Sequence, residues 1–209
     1  MSNLVNLNNI LSQYNGISLS EMDSVSLLDR MDSKFVFSAK LLPEILVQAK
    51  DNYKVLTIDK ERIFSYRSLY FDTSDNKMYL DHHNGRLNRY KVRIRTYINT
   101  GISFLEIKFK TKNGRTLKKR IKTDNIDAVL TDESRKFISE NMPISAGALE
   151  PKIYSTFLRL TLVDNKLSER VTIDYDLGFE NGSHNKTLSN LAIAEVKHDG
   201  KKIRFLFHS

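Results

Sequence analysis

Three stretches of the sequence carry cations at every second position. Lys91, Arg93 and Arg95 alternate with Val92 and Ile94. Lys108 and Lys110 follow Glu106 and alternate with Ile107 and Phe109, and Lys118, Arg120 and Lys122 oppose Leu117 and Ile121. Rows of ammonium and guanidinium groups suit the holding of successive oxygens on an anionic ligand, Arg through its planar fork. From Arg86 to Lys122 there are thirteen Lys or Arg residues and a single acid, Glu106. That stretch carries +12, so the rest of a chain with net charge +8 sums to −4. Charge concentrated in this way points to an anionic partner.

Side chains two apart share a face of a β-strand, so each of these stretches presents a charged face and an apolar one. Two later stretches repeat the pattern. Arg170, Thr172 and Asp174 oppose Val171, Ile173 and Tyr175, and Glu195 and Lys197 oppose Ala194 and Val196. An open sheet with one face on helices and one in water would give the same alternation. Two features favour a closed sheet instead. The first three charged faces are almost purely cationic, and a flat wall of like charges on neighbouring strands is destabilising. Closing the strands around a wet lumen filled by a polyanion resolves that repulsion and concentrates the potential.

The elements that would position these rows are predominantly strands. Patterns predict strands over Lys34 to Phe37, Tyr53 to Ile58, Arg62 to Asp72, Asn88 to Ile98, Ile102 to Thr111 and Thr116 to Thr123. Further strands are predicted over Lys152 to Val163, Glu169 to Leu177, Leu188 to Lys197 and Ile203 to Phe207. Asn99-Thr100-Gly101 and Lys112-Asn113-Gly114 read as hairpin turns. Helices are predicted over Glu21 to Asp29 with Ser20 as N-cap, Leu41 to Lys50, Ser74 to His83 and Asp132 to Asn141. The predicted class is α+β: an antiparallel β-tunnel of about eight long strands with a few flanking helices. Residues 1–20 read as a lead-in, loose or partly helical, and residues 21–209 as a single domain.

Composition removes several classes of chemistry. With no cysteine, disulfides, thiolate zinc sites and cysteine nucleophiles are excluded, and a reducing cytoplasm fits. Uncharged stretches fall far short of the roughly 20 apolar residues that span a bilayer. The N-terminus carries no signal-peptide pattern. Without a recognition helix or an aromatic base-stacking cluster, nucleic acid is not the expected partner. Tyr66, Tyr70 and Phe71 read as core, and the adjacent His82 and His83 are expected to point apart.

The sequence resembles the VTC domain, the polyphosphate polymerase module of the vacuolar transporter chaperone complex. Arg30-Met31-Asp32-Ser33-Lys34-Phe35 is similar to that family's opening strand, and Tyr70-Phe71-Asp72-Thr73 to its Tyr-Phe-Asp element. The run from Arg89 to Tyr97 resembles its Arg-x-Arg-x-Tyr strand, and Leu105-Glu106-Ile107-Lys108 with Lys118-Lys119-Arg120 its following hairpin. Phe157-Leu158-Arg159, Arg170-Val171-Thr172-Ile173-Asp174 and Glu195-Val196-Lys197 match later strands in order, so the resemblance spans about residues 21–207. The opening Arg30-to-Lys34 strand departs from the Glu-x-Glu-x-Lys of hydrolases and cyclases in the wider CYTH-like triphosphate tunnel superfamily. VTC domains continue past the Glu-x-Lys strand into a further basic segment. Either this chain, which reaches Ser209, is truncated or that closing element is missing.

What the resemblance implies is an enzyme that moves the terminal phosphate of ATP onto polyphosphate, with a divalent metal, Mn or Mg. The implied catalytic set is Arg93, Arg95, Lys108, Arg120, Arg159 and Lys197. Arg30, Lys34, Lys91, Lys110, Lys118 and Arg170 would bind further phosphates, Lys118 being preferred to Lys119 because it shares the parity of Arg120. Glu195 is the first expected metal ligand and Glu106 the second, with Asp174 as another candidate. A plain ion pair of Glu195 with Lys197, and an orienting role for Glu106, are the alternatives. Two other functions stay open: a non-catalytic module binding polyphosphate or inositol phosphates, and a tunnel-type triphosphate hydrolase.

Overall fold

The computed structural model describes residues 2–24, 31–124 and 129–198. Five α-helices are present among them: α1 (Ser2–Ser12), α2 (Leu19–Ser24), α3 (Leu42–Ala49), α4 (Lys77–His83) and α5 (Asp132–Asn141). The strands are β1 (Gly16–Ile17), β2 (Met31–Ser38), β3 (Tyr53–Leu56), β4 (Phe64–Asp72), β5 (Arg89–Tyr97), β6 (Ile102–Lys110), β7 (Thr116–Thr123), β8 (Glu150–Asp164), β9 (Glu169–Asn181) and β10 (His184–His198). The fold is α+β and dominated by antiparallel β. Eight strands form one pairing path, and the short β1 and β3 lie off it. The chain divides into two compact units. The predicted strand over Ile203 to Phe207 lies outside the described residues.

One unit comprises the described parts of Met1–Phe64, Phe157–Leu177 and Thr187–Ser209. Its strands pair in the order β2, β10, β9, β8, with β3 on β8 and β1 on β3. Leu7, Ile10, Leu11 and Tyr14 recur at helical spacing and are buried with Leu42, Leu46 and Ala49 of α3. The inward faces of the strands complete this core with Leu160, Leu162, Val171, Ile173, Ala192, Ala194 and Val196. The Tyr14 hydroxyl donates to the Leu46 carbonyl, and the Arg62 guanidinium donates to the Leu11 and Tyr14 carbonyls. The lead-in is thus an integral helix of this unit. Its apolar positions are diluted by Asn and Ser, which hid the period. The N-cap of α2 is Ser18 rather than Ser20. Its hydroxyl accepts from the Glu21 N–H at 3.3 Å while the Glu21 carboxylate accepts from the Ser18 N–H at 2.9 Å, a capping box.

The other unit comprises Ser65–Thr156 and Gly178–Lys186. Here β4, β5, β6 and β7 pair as successive antiparallel neighbours, with β8 on the other side of β4. The two predicted hairpin turns carry Gly101 at φ +68° and Gly114 at φ +76°, left-handed conformations that favour glycine. Leu69, Phe71, Val92, Ile94, Leu105 and Ile107 form the apolar side of these strands. Ile138 of α5, Met142 just past its end and Met78 of α4 are buried in the same cluster. Thr131 caps α5, its hydroxyl accepting from the Ser134 N–H at 3.2 Å. Asp72 caps α4, accepting the N–H groups of Met78 and Tyr79 at 2.8 Å each.

Leu11 has no exposed surface. Leu11→Ala is expected to cost about 2–5 kcal/mol, the range for large-to-small core changes. Urea unfolding checks this: a change below about 0.5 kcal/mol, as at ordinary surface positions, would mean that α1 contributes nothing to the core.

Candidate functional site

Pairing register assembles the cationic residues of the second unit into cross-strand rows. Lys91 faces Lys108, which faces Lys118; Arg93 faces Glu106, which faces Arg120. On the other flank Tyr70 faces Arg93 and Ser68 faces Arg95. Lys110 pairs with Arg89, and Phe104 separates Arg95 from Lys122. Exposure is graded across this face. Arg93 and Glu106 are buried, Arg95, Lys108 and Lys110 are half-buried, and Lys91, Lys118, Arg120 and Lys122 are exposed. Among the described residues β7 ends the pairing path and is bonded to β6 alone, which leaves its cations exposed.

Glu106 is the anchor of this face. Its Oε2 accepts from the Arg93 Nε at 2.8 Å and Nη2 at 2.6 Å, and its Oε1 lies 2.5 Å from the Lys118 Nζ. Burial opposes its ionisation, but Arg93 and Lys118 outweigh it and bring the carboxyl down to about 2. Burial and then the nearby Arg93 push the Lys108 ammonium down to about 8. That ammonium makes no hydrogen bond or ion pair with the described residues. Lys119, of opposite parity, donates to the Asn141 side chain at 2.6 Å.

Aromatic rings seat several of the cations. The Lys91 Nζ lies 4.6 Å from the Tyr70 ring centroid, the Arg95 guanidinium 5.5 Å from Tyr66, and the Arg120 guanidinium 4.5 Å from Phe104. The Tyr70 hydroxyl accepts from Arg93 at 3.2 Å. Burial alone would raise this phenol, but Lys91, Arg93 and Arg95 bring it down to about 7. Tyr70 was expected in the core, and only Phe71 of that pair is there. Its parity with Ser68 and Tyr66, opposite Leu69 and Phe71, was the available signal.

In the first unit Glu195 pairs with Lys34 in register, at 4.0 Å between charges, and with Lys197 at 3.2 Å. Burial opposes the ionisation of Glu195, and Lys197 with Lys34 lowers its pKa nonetheless. Arg159 grips Asp174 through both oxygens, at 2.5 and 2.7 Å. On β9, Thr172 shares a face with Arg170 and Asp174. Its hydroxyl is buried and has no hydrogen-bond partner among the described residues. Arg30 lies outside the described residues. No group of three or more His, Asp or Glu side chains is placed to hold a metal among the described residues. His83 stacks on Tyr79 with centroids 5.9 Å apart, and His82 lines a cavity together with Tyr79.

Residues 29–207 match the family model of the VTC domain. The chain belongs to the VTC domain family. A search of curated proteins finds no match. Among solved structures it is similar to a candidate adenylate cyclase from Bacillus halodurans, at 12% identity and TM-score 0.48, covering 83% of each chain. A candidate adenylate cyclase from Vibrio parahaemolyticus is similar at 12% identity and TM-score 0.47, over 82% of this chain and 77% of that one. A Hippeastrum candidate adenylyl cyclase, described as having dominant triphosphatase activity, gives 13% identity and TM-score 0.47, over 80% and 78%. No helix among the described residues of this VTC-domain chain is long and apolar enough to cross a membrane.

Two outcomes test the electrostatics. Glu106→Gln strands the buried Arg93 and should cost about 3 kcal/mol or more in urea unfolding, as for other broken buried pairs. The folded pKa lies below the ordinary carboxylate value, so this stability is present above that value. It is lost as pH falls toward about 2. The second concerns anion affinity. Lys108 loses its proton through about 8 and Tyr70 becomes anionic through about 7. Both changes disfavour an anion as pH rises, so binding should draw protons onto these groups. Calorimetry of tripolyphosphate in buffers of different ionisation enthalpy should show less proton uptake by Lys108→Met/Tyr70→Phe than by wild type. Equal uptake would place neither group near the ligand.

Proposed function

We propose that the protein is a phosphotransferase of the polyphosphate polymerase type, moving the terminal phosphate of ATP onto a growing polyphosphate chain. The observation that carries this reading is Lys108. A half-buried ammonium, pushed down first by burial and then by Arg93, Arg95 and Lys91, and without an ion pair among the described residues, is a site short of an anion. Phosphoryl transfer asks little covalent chemistry of a protein; it asks for alignment and for neutralisation of charge. In the second unit Arg93, Arg95, Lys108 and Arg120 would take the reacting phosphates, with Lys91, Lys110 and Lys118 on the rest of the chain. In the first unit Arg159 and Lys197 would do the same, with Lys34 and Arg170 supporting them. The partnerless Thr172 hydroxyl is a further donor suited to a phosphate oxygen. Membership of the VTC domain family supports the assignment.

A divalent cation fits Glu195 better than Glu106. Glu106 Oε2 is hydrogen-bonded to Arg93 and Oε1 is ion-paired with Lys118, so its proposed role is to hold those two cations. Glu195 is kept ionised by two lysines. One carboxylate suffices where phosphate oxygens and waters complete the shell, the usual arrangement for Mg. The metal, Mn or Mg, would supply neutralisation of charge on the transferring group. Lys197 and Lys34 orient the carboxylate.

Incubation with ATP and Mn, with products resolved on a polyphosphate gel, tests the reading. A ladder of growing chains is expected from wild type. Glu195→Gln should lose the ladder while binding tripolyphosphate without metal as well as wild type or better. Equal turnover by the mutant would remove Glu195 from the reaction. Release of phosphate without a ladder would make the protein a triphosphate hydrolase. Binding without any turnover would make it a non-catalytic polyanion module.

A further inference from the structure

Tyr66 and Tyr70 read as core in the sequence, which left no aromatic cluster for nucleobases; the fold turns both rings onto the cationic face. Register extends the set. Tyr66 faces Tyr97 across β4 and β5, and Phe104 stands between Arg95 and Lys122. The Tyr97 ring packs against Tyr66 with centroids 5.1 Å apart and edge-on against Phe104 at 6.0 Å. Three rings thus gather toward one end of the cation rows, where Arg95 lies over Tyr66 and Arg120 over Phe104. Among the described residues no cation lies over Tyr97, which is half-buried, and its register partner Ile102 is exposed. A bare chain of phosphates gains nothing from Tyr97 and Ile102.

A sugar–phosphate strand that carries bases uses both kinds of surface. Its phosphates need lysines and arginines, and its bases need flat partners, either an aromatic ring or a guanidinium plane. Arg120 offers the second kind. Its guanidinium lies 4.5 Å from the Phe104 centroid and the residue is exposed, so a base can stack on the open side of the plane. Length favours a polymer over a single nucleotide. From Tyr97 to Arg89 the face runs roughly 26 Å along β5, at about 3.3 Å per residue. Along that length come the ring of Tyr97, then Arg95, Arg93, Lys91 and Arg89, each of these four with a cation of β6 or β7 in its row. A duplex hides the base faces that a ring would meet, so the fit is to a single strand.

We propose that the face of β4 to β7 binds single-stranded nucleic acid, with bases against Tyr97 and the Arg120 guanidinium and phosphates along Arg95, Arg93, Lys91 and Lys108. The inference rests on the phosphate-binding reading of this face and goes beyond it to a second class of polymer. Fluorescence anisotropy of the full chain tests it, with oligothymidylate of about 12 nucleotides and an abasic strand of equal length, beside calorimetry of tripolyphosphate. Wild type should bind the thymidylate about tenfold more tightly than the abasic strand, the scale of one base–aromatic stack. Tyr97→Leu should lose most of that difference and keep its affinity for tripolyphosphate, and Tyr97→Phe should keep both. Equal affinity of wild type for the two strands overturns the nucleic-acid site and leaves the phosphate-binding face standing, whether or not Tyr97→Leu folds. A folded Tyr97→Leu protein whose preference for thymidylate is undiminished places the bases elsewhere and overturns the site as well. If wild type binds neither strand nor tripolyphosphate, the phosphate-binding reading fails and the nucleic-acid site fails with it.

Discussion

Repulsion among like charges on adjacent strands is the constraint around which the second unit is arranged. Lysines and arginines in cross-strand register would drive β5, β6 and β7 apart if nothing lay between them. One fully buried carboxylate, Glu106, stands at the middle of the rows and is gripped from one side by Arg93 and from the other by Lys118. On the opposite face Ile94, Leu105 and Ile107 pack with Ile138 of α5, so apolar burial opposes the same repulsion from behind. Satisfying one anion with two cations leaves Lys108 without an ion pair among the described residues. That surplus is what an incoming phosphate chain would meet.

The two units solve the same problem at different densities. In the first, carboxylates nearly match cations: Glu195 sits with Lys34 and Lys197, and Asp174 with Arg159. On the cationic face of β5, β6 and β7 in the second, Glu106 is the one acid among a much larger set of bases. The proposed roles follow this asymmetry, with anion capture assigned to the cation-rich face and a metal-binding carboxylate to the balanced one.

Much of this was legible in the chain because a strand reads out with period two. The faces of β5, β6 and β7, the preference for Lys118 over Lys119, and the turns at Gly101 and Gly114 all follow from alternation and turn chemistry. What alternation cannot give is who pairs with whom. The burial of Arg93 against Glu106 depends on register between strands, and Tyr70 looked like core because aromatic residues usually are. Helix α1 was hidden for another reason. Its Leu7, Ile10 and Leu11 are set among Asn and Ser, and burial against α3 rather than local propensity makes it a helix. Ser18 was passed over as a cap because its partner Glu21 was counted inside the helix body.

Seating Lys91, Arg95 and Arg120 against aromatic rings has a consequence for behaviour in salt. A ring quadrupole acts only at contact, whereas attraction of a distant anion acts across solvent and is screened within about 10 Å at 0.1 M salt. Dissolved ions therefore weaken the reach of these side chains without loosening their seats. The receiving groups stay aimed when the long-range pull has gone, and a ligand that arrives slowly in concentrated salt still finds its contacts already in place.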